Sequence, residues 1–161
     1  MTWRLFGSLS PGMKSPAIET GREFAAYDRA LDRADYGPMW LADERVAKCV
    51  VDALIYGERQ LALYELHAWM VMSNHVHVLW TPHVPMPKIM NRIKTFTARE
   101  ANRIMGREGR FWQRESFDHW VRNEDEFNRT VSYIEENPVN AGLCAKVEDW
   151  KWSSACVPSV E

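Results

Sequence analysis

The chain has 161 residues, 46% hydrophobic and 26% charged, which is enough to bury one core and too little for two, so a single globular domain is expected. No apolar run approaches the roughly 18 residues of a membrane helix. The start MTWRLFGSLS lacks the apolar centre of a secretory leader, and Cys49, Cys144 and Cys156 form no CxxC pair, which argues against a disulfide framework and a thiolate zinc site and for a cytoplasmic protein with no membrane partner.

The net charge of −2 conceals an asymmetry. Residues 86–114 hold eight Lys or Arg against Glu100 and Glu108, a net of +6 that leaves −8 for the remainder. Where cations cluster matters more to an anionic partner than the total.

In chain order, Thr2–Ser8 reads as a strand, followed by a turn at Ser10–Gly12 and a loose segment to Thr20. A helix is predicted over Arg22–Asp32 with Phe24, Tyr27 and Leu31 on one face, and Tyr36-Gly37-Pro38 breaks it. Asp43 caps a second helix with Val46, Val50 and Leu54 at helical spacing, ending at Gly57. Two strands follow, Gln60–Met72 and His75–Thr81. Their short junction at Ser73-Asn74 makes them an antiparallel hairpin.

After a loop over Pro82–Pro87, a helix is expected over Lys88–Met105. Its projection places Lys88, Arg92, Arg99 and Arg103 beside an apolar stripe of Ile89, Ile93, Phe96 and Ile104. The basic face is a candidate for binding a phosphate backbone, with a plain solvated helix face as the alternative. A strand over Arg110–Val121 comes next, then a helix capped by Asn123 with Glu126 three residues on and limited by Pro138. Beyond it the chain reads as irregular, so residues 1–143 form the domain and 144–161 a tail on or near it. The order of elements suits an α+β sandwich with helices packed on a small antiparallel sheet.

The hairpin contains MSNHVHVLW. On a strand His75, His77 and Leu79 face one way while Val76, Val78 and Trp80 face the other. Two neutral imidazoles side by side suit a divalent cation. Two histidines satisfied by hydrogen bonds are the alternative, and three residues do not separate the two readings. Leu79 removes a histidine-triad hydrolase, which needs a third His there, and a metallo-β-lactamase-like site, which needs Asp.

Another use of a His-hydrophobe-His pair is in enzymes that cut single-stranded DNA with a tyrosine. Of the five tyrosines, Tyr133 has the distinctive company. It shares a helical face with Asn137 at i+4, beside a packing stripe of Phe127, Val131 and Ile134. The Asn137 amide oxygen could reach the same cation. Trp112, Trp120, Trp150 and Trp152 could stack on unpaired bases or serve the core.

Taken together, MSNHVHVLW, FWQRESFDHWV, SYIEENPVNAGL and EDWKWSS, with TWRLFGSLSPG and IKTFTAREANRI, resemble the single-tyrosine HUH-superfamily transposases, especially the REP-associated tyrosine transposases of bacteria. The resemblance spans nearly the whole chain. It implies a ferredoxin-like antiparallel sheet with flanking helices, a Mg2+ or Mn2+ ion held by His75, His77 and Asn137, and Tyr133 as the nucleophile that forms a 5′-phosphotyrosine. The implied partner is single-stranded or hairpin DNA, contacted by Lys88, Arg92, Arg99 and Arg103, with a homodimer left open. Ser73 stands where the family commonly has Pro, and Asn137 replaces the Gln or His of distant relatives. The rival readings are a catalytically silent hairpin-DNA-binding protein and a small-molecule metal hydrolase. The basic helix and the missing third strong ligand disfavour the hydrolase.

Overall fold

The computed structural model describes residues 1–10 and 21–156, with side chains in the first helix described from residue 26. The residues after Ser10 in the expected turn, the segment to Thr20 and the Phe24 side chain lie outside the described residues, as do residues 157–161. The elements are β1 (Thr2–Leu5), α1 (Gly21–Asp32), α2 (Glu44–Arg59), β2 (Tyr64–Val71), β3 (His75–Pro82), α3 (Met86–Met105), β4 (Trp112–Phe117) and α4 (Glu124–Asn140), with short 3-10 turns at Trp40–Ala42, Val147–Asp149 and Ser154–Cys156.

Among the described residues, β2, β3, β1 and β4 form one sheet in that order, and every neighbouring pair is antiparallel. β3 therefore lies between β1 and β2, the ferredoxin-like arrangement, with α1 and α2 both in the first crossover.

α2 and α3 cover one face of the sheet. Val76, Val78 and Trp80 of β3 enter a core there with Trp3, Leu54, Tyr64, Ile89, Ile93 and Trp112. Trp3 stacks on Trp80 at 6.2 Å and meets Trp112 edge-on at the same separation. Each such fully buried large apolar side chain contributes about 1.5–3 kcal/mol. α4 packs on the opposite face through Ile134 against Ala68, Met70 and Leu79. α1 joins α4 there, since its Leu31 carbonyl accepts from Asn74 Nδ2 at 2.9 Å and its Tyr27 hydroxyl accepts from Arg4 Nε at 2.8 Å.

Several boundaries differ from the sequence reading for physical reasons. β1 stops at Leu5, because Gly7 turns the chain with φ +80. α3 begins at Met86, since Pro87 falls in the first turn, where its missing N–H costs nothing. Its buried stripe is Ile89, Ile93, Thr97 and Ala101, each four residues apart, which leaves Phe96 on the shoulder and 44% exposed. The last strand shrinks to Trp112–Phe117.

α4 runs through Pro138 to Asn140. Only two residues follow the proline within the helix, and Ala141 N–H still donates to the Asn137 carbonyl at 2.9 Å. Asn137 thereby keeps helical geometry and stays one turn above Tyr133. The expected irregular tail is tied to β2: Val71 N–H donates to the Trp152 carbonyl at 2.9 Å, Met70 bridges Ser153, and Trp150 Nε1 donates to the Val71 carbonyl at 3.0 Å.

Candidate metal centre and tyrosine site

Period-2 alternation along β3 sends His75 and His77 to the face covered by α1 and α4, and both side chains are buried. Their ring centroids lie 4.9 Å apart. Each ring is held by its Nδ1 atom. His77 Nδ1 pairs with Thr2 Oγ1 at 2.7 Å, across the β1–β3 register in which Thr2 faces His77.

His75 Nδ1 pairs with Asn74 Oδ1 at 2.7 Å, while the Asn74 amide nitrogen donates to the Leu31 carbonyl. Asn74 Oδ1 can only accept, so the proton sits on His75 Nδ1 and its Nε2 is left as a bare lone pair. Burial and the neighbouring His77 pull the His75 pKa down to about 3, which keeps the ring neutral.

Both Nε2 atoms face α1. His77 Nε2 lies 3.0 Å from Asp28 Oδ1; His75 Nε2 lies 3.9 Å from the same oxygen and 3.5 Å from Asp32 Oδ1. Asp28, His75 and His77 form a group whose donor atoms all lie within 4.8 Å of one another. Burial by itself would raise the Asp28 carboxyl, but the two histidines and the Tyr133 hydroxyl together hold it well below the usual carboxylate range. Asp32 goes the other way, pushed up to about 7 by burial and by the charge on Asp28.

The tyrosine is in place. Tyr133 Oη donates to Asp28 Oδ2, the other oxygen of the carboxylate beside His77, and the Tyr133 and His77 rings stand 5.9 Å apart and nearly perpendicular. Tyr133 remains 36% exposed, so one edge of the ring is open to an incoming group. Burial and the Asp28 charge push the phenol above its usual pKa, and at rest it keeps its proton.

Asn137 is buried one turn further along. Its Nδ2 lies 3.4 Å from Asp28 Oδ2, and its Oδ1 is a buried acceptor with no hydrogen-bond partner. Asp32 Oδ1 and His75 Nε2 are buried without hydrogen-bond partners as well, while Asp28 Oδ1 has His77 Nε2 beside it at 3.0 Å. Unpaired lone pairs converging in a buried space repel one another, and a divalent cation among them turns that repulsion into attraction. The donor set therefore fits a cation.

His75, His77, Asn137 and Tyr133, singled out from sequence, thus meet at one place, and the tyrosine belongs to the same chain as the histidines. Asp28, which joins them, was missed. Its signal was present in YDRALD, where a carboxylate falls between the apolar positions Tyr27 and Leu31 and repeats one turn later at Asp32.

The basic residues are not part of this assembly. Lys88, Arg92, Arg99 and Arg103 are exposed on α3, in the layer on the other side of the sheet. Arg99 and Arg103 share the Glu100 carboxylate at 3.2 and 2.9 Å, while Lys88, Arg92 and Arg99 line a shallow groove with the exposed Phe96. Trp112 is a core residue, Trp150 is bonded to β2, and Trp120 is 72% exposed. His119 pairs with Glu126 and His67 with Thr81, both away from the cluster. No helix among the described residues is long and apolar enough to cross a membrane.

Residues 48–137 match the family described as Transposase IS200 like. A REP-associated tyrosine transposase of Escherichia coli (strain K12) is 29% identical over 91 residues, which cover 56% of this chain and 54% of that protein. A protein of Haemophilus influenzae described as a REP-associated tyrosine transposase is 38% identical over 53 residues, or 33% of this chain and 30% of that protein. The matched stretch thus spans about half the length of the first relative and less of the second. A solved structure of a REP-associated tyrosine transposase bound to a REP hairpin shares the fold, with a TM-score of 0.58 and 20% identity over 95% of this chain and 73% of that one.

Proposed function

Since the chain belongs to the Transposase IS200 like family, we propose that it is a metal-dependent endonuclease and strand-transferase for single-stranded DNA at a hairpin, with Tyr133 as nucleophile. The observation that carries this reading is the Asp28 carboxylate, which accepts from the Tyr133 hydroxyl with one oxygen and stands beside His77 with the other. A phenol and a candidate cation site are thereby coupled through one side chain. The hairpin in the solved relative's complex supports the substrate class.

In this reading His75, His77, Asp28 and Asn137 Oδ1 hold a divalent ion, Mg2+ or Mn2+. Such an ion screens the anionic oxygens of a phosphodiester and stabilises the charge that builds up during attack. The protein's own residues do the remainder. Thr2 and Asn74 fix the two rings through Nδ1, and the α4 backbone keeps Tyr133 and Asn137 on one face.

The Tyr133 oxygen forms a bond to phosphorus while the bond from phosphorus to the 3′ oxygen breaks. The phenol proton leaves along its hydrogen bond to Asp28 Oδ2, which is too weak a base to keep it and passes it on, so that it ends on the departing 3′ oxygen as the new hydroxyl and the step balances. The resulting 5′-phosphotyrosine conserves the ester, and a second strand's 3′ hydroxyl can reverse the step and rejoin DNA without a nucleotide triphosphate.

The α3 residues Lys88, Arg92, Arg99 and Arg103, with Phe96 between them, would grip the phosphate backbone on the far layer, and that contribution should weaken steeply with salt. The test is incubation with end-labelled single-stranded hairpin oligonucleotides and Mn2+, followed by denaturing electrophoresis. A covalent protein–DNA band that maps to Tyr133 and disappears in Tyr133→Phe is expected. A band of full intensity in that variant would refute the assignment.

A further inference from the structure

α1 supplies two carboxylates one turn apart, and only Asp28 is needed to join the tyrosine to the histidines. Asp32 Oδ1 is nevertheless buried without a hydrogen-bond partner, 3.5 Å from the His75 Nε2 lone pair. His75 is wholly enclosed and its single proton is committed to Asn74 on the other side of the ring. With the Asp32 carboxylate ionised, its contact with His75 thus sets acceptor against acceptor. Two donors at right angles on one divalent ion, with bonds of about 2.1–2.3 Å, sit about 3.0–3.3 Å apart. The observed separations, 3.0 Å for His77 with Asp28 and 3.5 Å for His75 with Asp32, lie close to that spacing, and Asp32, which stands outside the mutually close donors of Asp28, His75 and His77, would swing inward to reach the same ion.

We propose that Asp32 is a further donor to the cation, making the site a cage of two histidines and two carboxylates that takes a first-row transition dication in preference to Mg2+ and holds it before DNA arrives. This rests on the reading of Asp28, His75 and His77 as the cation site. The preference follows from the two imidazoles, which suit transition ions far better than Mg2+. Retention without DNA follows from charge. Two carboxylates neutralise a dication outright, whereas two histidines and an amide would leave it dependent on the phosphate.

The test uses DNA-free protein and Mn2+ alone. Loss of the free-ion electron paramagnetic resonance signal counts the ions bound, and the rise in melting temperature on adding Mn2+ to chelator-treated protein gives a second readout. Wild type should take up Mn2+ without DNA and keep it against a hundredfold excess of Mg2+. Asp32→Asn, nearly the same shape, should bind about 10-fold to 100-fold more weakly. Its metal-free melting temperature should be unchanged or higher, because a repelling buried charge is gone. Asp32→Ser should behave alike if the asparagine variant fails to fold.

Unchanged Mn2+ affinity in a folded Asp32 variant would overturn the proposal. So would wild-type protein that binds Mn2+ only with DNA, or an equal hold on Mg2+. The covalent-adduct assay fails separately: Asp32-dependent Mn2+ uptake without any adduct would sustain this inference while removing the nuclease reading.

Discussion

Along β3, Val76, Val78 and Trp80 enter an apolar layer closed by α2 and α3, while His75 and His77, one residue out of step, enter a layer where α1 and α4 bring carboxylates, an amide and a phenol. Burial is similar on both sides and the consequences are opposite. On the first face every enclosed apolar surface adds to stability. On the second, each buried acceptor without a partner costs about 1–3 kcal/mol. The strand thus adds apolar stability on one side and, at its histidine end, unpaired acceptors on the other, and those acceptors are what make the second side attractive to a cation.

The sharpest way to break this comparison is to take a donor from the polar face. His77→Ala should lower Mn2+ affinity by more than about 100-fold, beyond the usual cost of losing a residue that only supports a ligand. The metal-free protein should melt lower as well, because the buried Asp28 carboxylate loses the imidazole beside it. Calorimetric titration paired with thermal melts in chelator checks both halves, and unchanged Mn2+ affinity would remove His77 from the cation site.

The mirror experiment is on the apolar face. Leu54 is fully buried there, and Leu54→Ala should cost about 2–5 kcal/mol in urea denaturation while leaving Mn2+ affinity of the folded protein untouched. A coupled loss of metal binding would show that the two faces are not independent.

A smaller effect is expected from α3. Lys88→Ala combined with Arg92→Ala should reduce the salt dependence of hairpin binding by a slope of about one for each cation removed. Fluorescence anisotropy across a salt series reads this directly, and an unchanged slope would remove the far-layer patch from the DNA path.

The smallest is Tyr64→Phe, which deletes the 2.8 Å hydrogen bond to the Leu54 carbonyl and should cost about 1 kcal/mol at neutral pH. Burial pushes the Tyr64 phenol above its ordinary value of 10.0, so the folded state keeps a proton that the unfolded chain releases. Its contribution is complete below that value and is lost as pH rises beyond it. Denaturation curves from pH 9 to 11 should accordingly fall less steeply in the variant than in wild type.

The hairpin and its histidines were legible because period-2 alternation is a local property that neighbours seldom override. The Asn123 cap and the pairing of Tyr133 with Asn137 were legible for the same reason, and Asn123 Oδ1 does accept from Glu126 N–H at 2.9 Å. What failed was information about layers. Nothing local says that α1 crosses to the histidine face while α2 and α3 take the other, so Asp28 could not be matched to His77, nor the basic stripe separated from the site. Pro138 misled differently. The preference against helical geometry before a proline is a modest local cost, and the buried setting of Asn137 and Pro138 outweighed it.

The link between the final segment and β2 also has a meaning in time. Trp69 N–H is met by Ser154 Oγ, 85 residues later. At ordinary translation speeds that stretch takes about 4–17 s to synthesise, whereas a hairpin closes in about 1–10 μs. The hairpin that carries the histidines must therefore wait on the ribosome with its outer strand bare, in the state most prone to pairing with a stranger. For this chain the hazard of misassembly is concentrated in its own birth, and the arrival of the segment around Ser154 is what ends it.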